Sequence, residues 1–201
     1  MVKIFKIISF LLLATFTFAC NEEVKKAEIK LNVTPKLFAP FRNHQKVEVG
    51  PDLIFDVFSW GRGADSTSSL LILKSDSLKN DFSVAETANL DGKLSQVFNT
   101  DMDIDGNPEI IVLYQKNDKY KSADVICFEF LKDANKIRFP DLSSKTKKQY
   151  RGNDNFYVKE GKLFREINLF DEADTLNTKP IAKKVVRYGL EGNNFTLYEE
   201  E

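Results

Sequence analysis

Cysteine is scarce in this chain, and its scarcity removes one common way of stabilising a fold. The sequence has two cysteines among 201 residues. Cys20 ends an apolar N-terminal segment, which leaves Cys127 without a partner and excludes a disulfide framework. Cys127 itself lies in the apolar run 125–128, so we expect a buried and unreactive thiol rather than a nucleophile.

Histidine is scarcer still, because His44 is the only one. Any Ser-His-Asp or Cys-His arrangement would depend on this residue, which we place in a polar loop. A zinc site with its usual imidazole and thiolate ligands is equally short of donors. These absences argue against nucleophilic and zinc-dependent catalysis, and we expect no enzymatic activity.

An excess of either charge is also missing. Lysine and arginine together number 29, and aspartate and glutamate number 30, which gives a formal net charge of −1. We therefore expect no basic surface for nucleic acid. The chain also lacks an internal boundary rich in proline or glycine and lacks internal repeats, so we predict one domain and exclude a multi-blade propeller.

Long hydrophobic runs are confined to the N-terminus. Lys3 and Lys6 lead into residues 7–18, an almost wholly apolar segment of about a dozen residues. That length suits the core of a signal peptide and is too short for an ordinary membrane span. The pattern predicts a signal peptide over residues 1–19.

The end of this segment, Thr-Phe-Ala-Cys at residues 17–20, resembles the lipobox of bacterial lipoproteins, although Thr17 stands where Leu or Val is usual. The resemblance implies lipidation of Cys20. The charged stretch that follows predicts a flexible tether over residues 20–35, and we predict a single β domain over residues 36–201. We therefore expect a lipid-anchored protein of the bacterial cell envelope, in the outer membrane, with its periplasmic or surface face left open. The alternative is a plain secretory signal with a chance cysteine.

The body of the chain has the pattern of an all-β protein. Alternating apolar residues recur in short segments, and turn residues such as Glu160-Gly161 separate them at intervals of about ten residues. This spacing predicts an antiparallel β-sandwich or barrel-like sheet of about eight to ten strands, with at most one short helix, within residues 140–150. The predicted strands include 54–58, 69–74, 82–87, 93–99, 109–115, 124–131, 155–159, 162–169, 182–189 and 194–199.

Residues 101–109 place four carboxylates at alternate positions around a glycine, which is the spacing of a calcium-binding loop. Gly106 allows the sharp turn that such a loop needs. Val112 stands where a helical calcium hand has its bidentate glutamate, so the loop resembles the strand-flanked loops of integrin-type repeats instead. The candidate calcium ligands are Asp101, Asp103, Asp105, Asn107 and Glu109. The alternative is a solvated turn whose aspartates bond to nearby backbone amides.

From residue 70 onward, the order of features resembles the periplasmic inhibitors of invertebrate-type lysozyme. The matching pieces are the acidic turn and strand at 101–110, the strand entry at 150–158, the hairpin at 161–167 and the closing pieces at 170–174, Pro180 and 186–188. The resemblance implies a small secreted or lipid-anchored β-protein that blocks the enzyme cleft with a loop.

The corresponding loop here consists of Lys116, Asn117, Asp118, Lys119 and Tyr120. Tyr120 keeps the aromatic hydroxyl of the family loop, whereas Lys116 and Asn117 replace its serine and glycine. The lysines suit an acidic cleft. The alternative is an ordinary polar hairpin loop.

Two other functions stay open at this point. The chain is also compatible with a surface module that binds a glycan or another extracytoplasmic protein and has a calcium-stabilised turn. A glycoside hydrolase is disfavoured, because the only carboxylate cluster is crowded as for a metal rather than split across a sugar.

Overall fold

Twelve β-strands and one short helix make up the described part of the chain, in a computed structural model that describes residues 36–62, 67–173, 176 and 179–199. The predicted signal peptide over 1–19, the lipidation site Cys20 and the tether over 20–35 lie outside these residues, as does Asp174 of the closing pieces. None of the helical structure in the described residues is long and apolar enough to cross a membrane.

The strands form three antiparallel sheets, and each sheet consists of four strands that are consecutive in the chain. The first sheet holds β1 (Phe41–Glu48), β2 (Leu53–Trp60), β3 (Thr67–Asp76) and β4 (Asp81–Asp91). The second holds β5 (Lys93–Thr100), β6 (Glu109–Gln115), β7 (Ala123–Phe130) and β8 (Ala134–Ile137). The third holds β9 (Asn155–Lys159), β10 (Lys162–Leu169), β11 (Ala182–Glu191) and β12 (Asn194–Glu199), and α1 (Ser144–Gln149) precedes it.

The second sheet lies between the other two and is buried on both faces. Its β6 residues Ile110, Val112 and Tyr114 belong to a core shared with the first sheet. The alternate residues Ile111 and Leu113 belong to a second core shared with the third sheet. This placement explains why β6 is a continuous apolar run, since a strand with no solvent face has no reason to alternate.

The predicted fold class is confirmed: the described residues are mainly antiparallel strands with one short helix, and none of the three sheets closes into a barrel. The number of strands is twelve rather than eight to ten. The prediction missed β8, which has four residues, and β1, an edge strand whose side chains are mostly polar.

The assignment of His44 to a loop was wrong, because this residue lies in β1. Its ring stacks on Phe58 of the neighbouring strand at a centroid distance of 4.4 Å. Its Nε2 also hydrogen-bonds to Asp56 Oδ1 at 2.6 Å. Cys127 is fully buried in β7, as predicted, and burial raises the pKa of its thiol.

Candidate functional site

Apart from Cys20 and from Glu109, the first residue of β6, the predicted site residues belong to two loops at opposite ends of this strand. The acidic loop, residues 101–108, precedes this strand, and the β6–β7 loop, residues 116–122, follows it. Seven strand residues separate them, which corresponds to roughly 20 Å along the strand. The acidic loop and the β6–β7 loop are therefore two sites rather than one.

Two of the predicted calcium ligands hold the backbone of the acidic loop. The Asp101 carboxylate accepts hydrogen bonds from the amides of Asp105 and Gly106, at 3.1 and 3.2 Å. The Asp105 carboxylate accepts from the backbone amide and the side-chain amide of Asn107, at 2.8 and 2.7 Å. Ile104 at the apex has a left-handed backbone with φ of 62°. These hydrogen bonds are those expected of a solvated turn whose aspartates bond to nearby backbone amides. They also shape the loop around the remaining carboxylates.

Asp103 and Glu109 are different, because each has a buried oxygen with no hydrogen-bond partner. The Glu109 side chain is fully buried. Its Oε2 accepts from the Thr100 hydroxyl at 2.7 Å and from the Met102 amide at 3.0 Å. Glu109 Oε1 and Asp103 Oδ1 have no partner among the described residues. A buried acceptor without a partner costs free energy, which points to a missing ligand or water.

The structure adds a residue that the sequence analysis missed. Glu129 of β7 lies directly opposite Glu109 of β6 in the strand register and is 3% exposed. No hydrogen bond to the Glu129 carboxylate occurs in the part of the chain that the structure describes. Its sequence signal is a charged residue between Phe128 and Phe130 in an otherwise apolar strand.

These carboxylates form two close groups that share Asp103. One oxygen from each of Asp101, Asp103 and Glu109 lies within 4.8 Å of the others. The same holds for Asp103, Asp105 and Glu129, so Asp103 belongs to both groups. Among the predicted ligands, only Asn107 contributes no carboxylate, and a role for its backbone carbonyl stays a prediction.

Burial dominates the electrostatics of the two glutamates. It raises the pKa of Glu109, and the hydrogen bonds from Thr100 and Met102 only partly oppose that effect. Burial also raises the pKa of Glu129, and the nearby Asp105 and Asp103 carboxylates raise it further. Burial therefore favours the neutral form of both glutamates over the ionised form unless a cation is bound.

The β6–β7 loop is held in one conformation by Asp118. Its carboxylate accepts from the amides of Tyr120 and Ser122, at 3.1 and 2.9 Å, and from the Ser122 hydroxyl. Two backbone bonds close the loop, from the Lys116 amide to the Ser122 carbonyl at 2.8 Å and from the Lys121 amide to the Asp118 carbonyl at 3.2 Å. Burial alone would raise the pKa of Asp118, but the bonds from Ser122 and Tyr120 outweigh it and lower the pKa.

Tyr120 is half-buried between cationic side chains. The Lys119 ammonium lies 5.2 Å from the centre of its ring, and the Arg151 guanidinium lies 5.9 Å from it. The backbone of Tyr120 rests on Gly152, where an added Cβ would lie 2.0 Å from the Tyr120 carbonyl oxygen. Asn117, in contrast, is exposed. The five predicted loop residues thus form one ordered, basic turn around an aromatic side chain.

A buried ion pair anchors the start of β7 beneath this loop. The Asp154 carboxylate accepts from the Ala123 amide at 3.1 Å, from the Arg165 guanidinium at 3.2 Å and from the Tyr150 hydroxyl. The Arg165 guanidinium lies about equally far from two rings, 5.0 Å from that of Tyr150 and 5.1 Å from that of Phe156. The third sheet therefore fixes the position of the β6–β7 loop on the second.

A cleft of about 310 Å³ opens beside the β6–β7 loop. Its lining combines charged side chains with apolar ones and reaches the buried Arg165. The lining includes Lys116, Ser122, Asp124, Phe139, Leu142, Lys147, Tyr150 and Arg165.

Comparisons with protein-family models, with curated proteins and with solved structures find no match to this chain. The resemblance to the lysozyme inhibitors therefore stays a prediction, and any proposal depends on the geometry of the two loops.

Proposed function

We propose that this chain is a lipid-anchored, non-catalytic binding protein of the bacterial cell envelope that blocks lysozyme with its β6–β7 loop. The observation that carries the proposal is the hydrogen-bond network of this loop, in which Asp118 accepts from the amides of Tyr120 and Ser122. A loop that is ordered before binding loses less conformational entropy when it enters a cleft, so more of the contact energy appears as affinity.

The charge of the loop supports the same partner. Lys119 and Lys121 are exposed, and Arg151 lies beside Tyr120. Enzymes that cleave glycosidic bonds work with a pair of carboxylates in the cleft, so a basic loop approaches that cleft with complementary charge. Lys116 contributes less, because its ammonium lies 3.4 Å from the Asp124 carboxylate.

The cleft beside the loop favours a second candidate function. Its aromatic and charged lining suits a glycan or a side chain of another extracytoplasmic protein. In that case the loop and the cleft would form one binding surface, since Lys116 and Ser122 belong to both.

The test is an inhibition assay with the purified full chain against lysozymes of several classes, together with a pull-down with and without calcium. We expect inhibition of at least one class at micromolar protein. Tyr120→Ala should weaken it about 10- to 100-fold, as truncation of an aromatic interface anchor typically does.

Tyr198→Ala is the matched control, because Tyr198 is also a partly exposed tyrosine under an arginine, Arg187, at 4.1 Å. It lies in β12, outside the loop and the cleft, and should leave inhibition unchanged. Lack of inhibition of every lysozyme class would refute the proposal, and capture of a glycan by the cleft would support the second candidate.

A further inference from the structure

We propose that Ca²⁺ binds at the end of the second sheet, between the acidic loop and β7, with Asp103 as the ligand common to two carboxylate groups, one with Asp105 and Glu129 and the other with Asp101 and Glu109. This site lies at the opposite end of β6 from the β6–β7 loop, so the proposal does not depend on a lysozyme partner. It differs from the predicted loop site because it adds Glu129, which lies in the neighbouring strand β7.

The strand register provides the first argument. Glu109 and Glu129 are directly opposite in β6 and β7, on the face that continues the buried pair Ile111 and Cys127. This register brings the Glu129 carboxylate to Asp103 and Asp105, and the Glu109 carboxylate to Asp103 and Asp101. Burial removes the water that would screen these like charges. A cation at Asp103 would turn the repulsion within each group into attraction.

The second argument is that no protein group supplies the missing charge. Across residues 36–62, 67–173 and 179–199, no lysine, arginine or histidine forms an ion pair with any of the five clustered carboxylates. Buried charges in proteins are paired or coordinate metals. Without such a pair, a buried carboxylate is either neutral by protonation or binds a cation, and several carboxylates that converge on Asp103 favour the cation.

The third argument comes from the unpartnered oxygens. Glu109 Oε1 and Asp103 Oδ1 are buried without hydrogen bonds among the described residues, although both carboxylates belong to one close group. The other oxygen of Glu109 is fixed by Thr100 and Met102, which orients the free one. These are side chains prepared to bind a ligand rather than a self-bonded turn.

The donor set indicates which ion fits. All the donors are hard carboxylate oxygens, which exclude metals that prefer nitrogen or sulfur. Ca²⁺ accepts six to eight oxygens in irregular geometry, whereas Mg²⁺ requires a near-ideal octahedron. A cluster drawn from a loop and two strands suits the more tolerant ion. Asp101 and Asp105 shape the loop and have further lone pairs to offer.

Glu129 also replaces the ligand that the loop lacks. In a helical calcium hand the closing glutamate stands at the twelfth position, where this chain has Val112 inside β6. The carboxylate of Glu129 reaches the same cluster from β7. Ion binding would therefore join the acidic loop to the second strand of the hairpin, in addition to closing the loop on itself.

The test is thermal unfolding of the purified full chain in EDTA, in Ca²⁺ and in Mg²⁺, with calorimetric titration of Ca²⁺ alone. We expect the midpoint to rise by roughly 5–10 °C at a calcium concentration about 50-fold above Kd, and to rise less with Mg²⁺. An unchanged midpoint and no heat of binding at 10 mM Ca²⁺, roughly tenfold above the upper limit for extracellular calcium modules, would overturn the proposal.

Glu129→Gln separates the proposed ligand role from a merely structural one. It removes the repulsion with Asp103 and Asp105, so the midpoint in EDTA should rise, while calcium affinity should fall at least tenfold. Glu86→Gln, an exposed charge removed elsewhere in the described residues, is the control and should change neither. Should Glu129→Gln fold poorly, Asp103→Asn tests the same loss of binding. Unchanged calcium affinity in both variants would refute the assignment.

Discussion

Asp154 and Arg165 form an ion pair that is almost completely removed from water. Their side chains are 0% and 7% exposed, and the guanidinium is further enclosed by the rings of Tyr150 and Phe156. A buried pair of this kind adds little net stability, but its loss is costly because one charge is then left buried and alone. The pair matters here because it positions the β6–β7 loop: Asp154 also accepts a hydrogen bond from the Ala123 amide at the base of that loop.

Asp154→Asn keeps the shape of the side chain and removes its charge. We expect the free energy of unfolding to fall by about 3–5 kcal/mol, because Arg165 stays charged and buried. Urea unfolding measures this change. Glu166→Gln is the control, since Glu166 pairs at the surface with Lys183, whose side chain is 60% exposed, and should change stability little. Equal effects of the two substitutions would contradict this account.

Individual site residues differed in how far the sequence could predict them. Asp101, Asp103, Asp105 and Glu109 follow a local spacing, so the sequence identified them together. Glu129 lies twenty residues further along and meets them only through the register of β6 and β7, which no local pattern encodes. The pairing of Asp154 with Arg165 was missed for the same reason, because the two residues meet across β9 and β10.

At the scale of the element, the β6–β7 loop depends on a glycine that lies outside it. Gly152 has φ of 72°, and its missing side chain makes room for the Tyr120 carbonyl. The loop therefore rests directly on the backbone that leads from α1 into β9. A change at that distant position should move the loop without altering any of its own residues.

Gly152→Ala should disorder the β6–β7 loop and abolish lysozyme inhibition. The added Cβ would lie 2.0 Å from the Tyr120 carbonyl oxygen. Gly161→Ala is a close control, because Gly161 has the same φ of 72° with open space around its Cβ. Both variants should lose about 1–2 kcal/mol for the left-handed backbone, and Gly152→Ala should lose about 2 kcal/mol more. Urea unfolding and the inhibition assay measure the difference, and identical behaviour of the two variants would refute it.

Elements with a strong local signal were predicted well. The hairpin of β9 and β10 was identified from Glu160-Gly161, and both residues have positive φ. β6 was identified from its apolar run. β1 was missed because an edge strand can be mostly polar, and its pairing with β2 is what makes it a strand. Such a strand is determined by its neighbour more than by its own residues.

At the scale of the whole molecule, the sequence predicted the fold class but not the stacking of three sheets. A continuous apolar strand such as β6 indicates burial on both faces, yet it does not say which elements cover each face. The predicted strand at 109–115 already separated the two loops, and in the structure they lie at opposite ends of β6.

The proposed membrane attachment concerns the whole molecule, and Cys20, which lies outside the described residues, is the residue that tests it. In a bacterial host, the full chain should partition into the detergent phase and incorporate labelled fatty acid. Cys20→Ser should move the protein to the aqueous phase and remove the label, because acyl chains supply the anchoring energy. Cys127→Ala, which removes the buried thiol instead, should keep both properties. Retention of the label by Cys20→Ser would contradict the prediction.

The order of the sheets along the chain has a consequence for how the protein is made. Each sheet is a run of consecutive strands, so a chain that crosses the membrane with its N-terminus first presents β1 to β4 before any of the second sheet appears. Until then, the apolar residues Phe55, Val57, Leu70 and Ile72 have no cover. The second sheet covers these residues with one face. Its other face stays exposed until the third sheet forms. Nascent chains that stop before β9 therefore expose the Ile111 and Cys127 surface, which is where a chaperone would be needed.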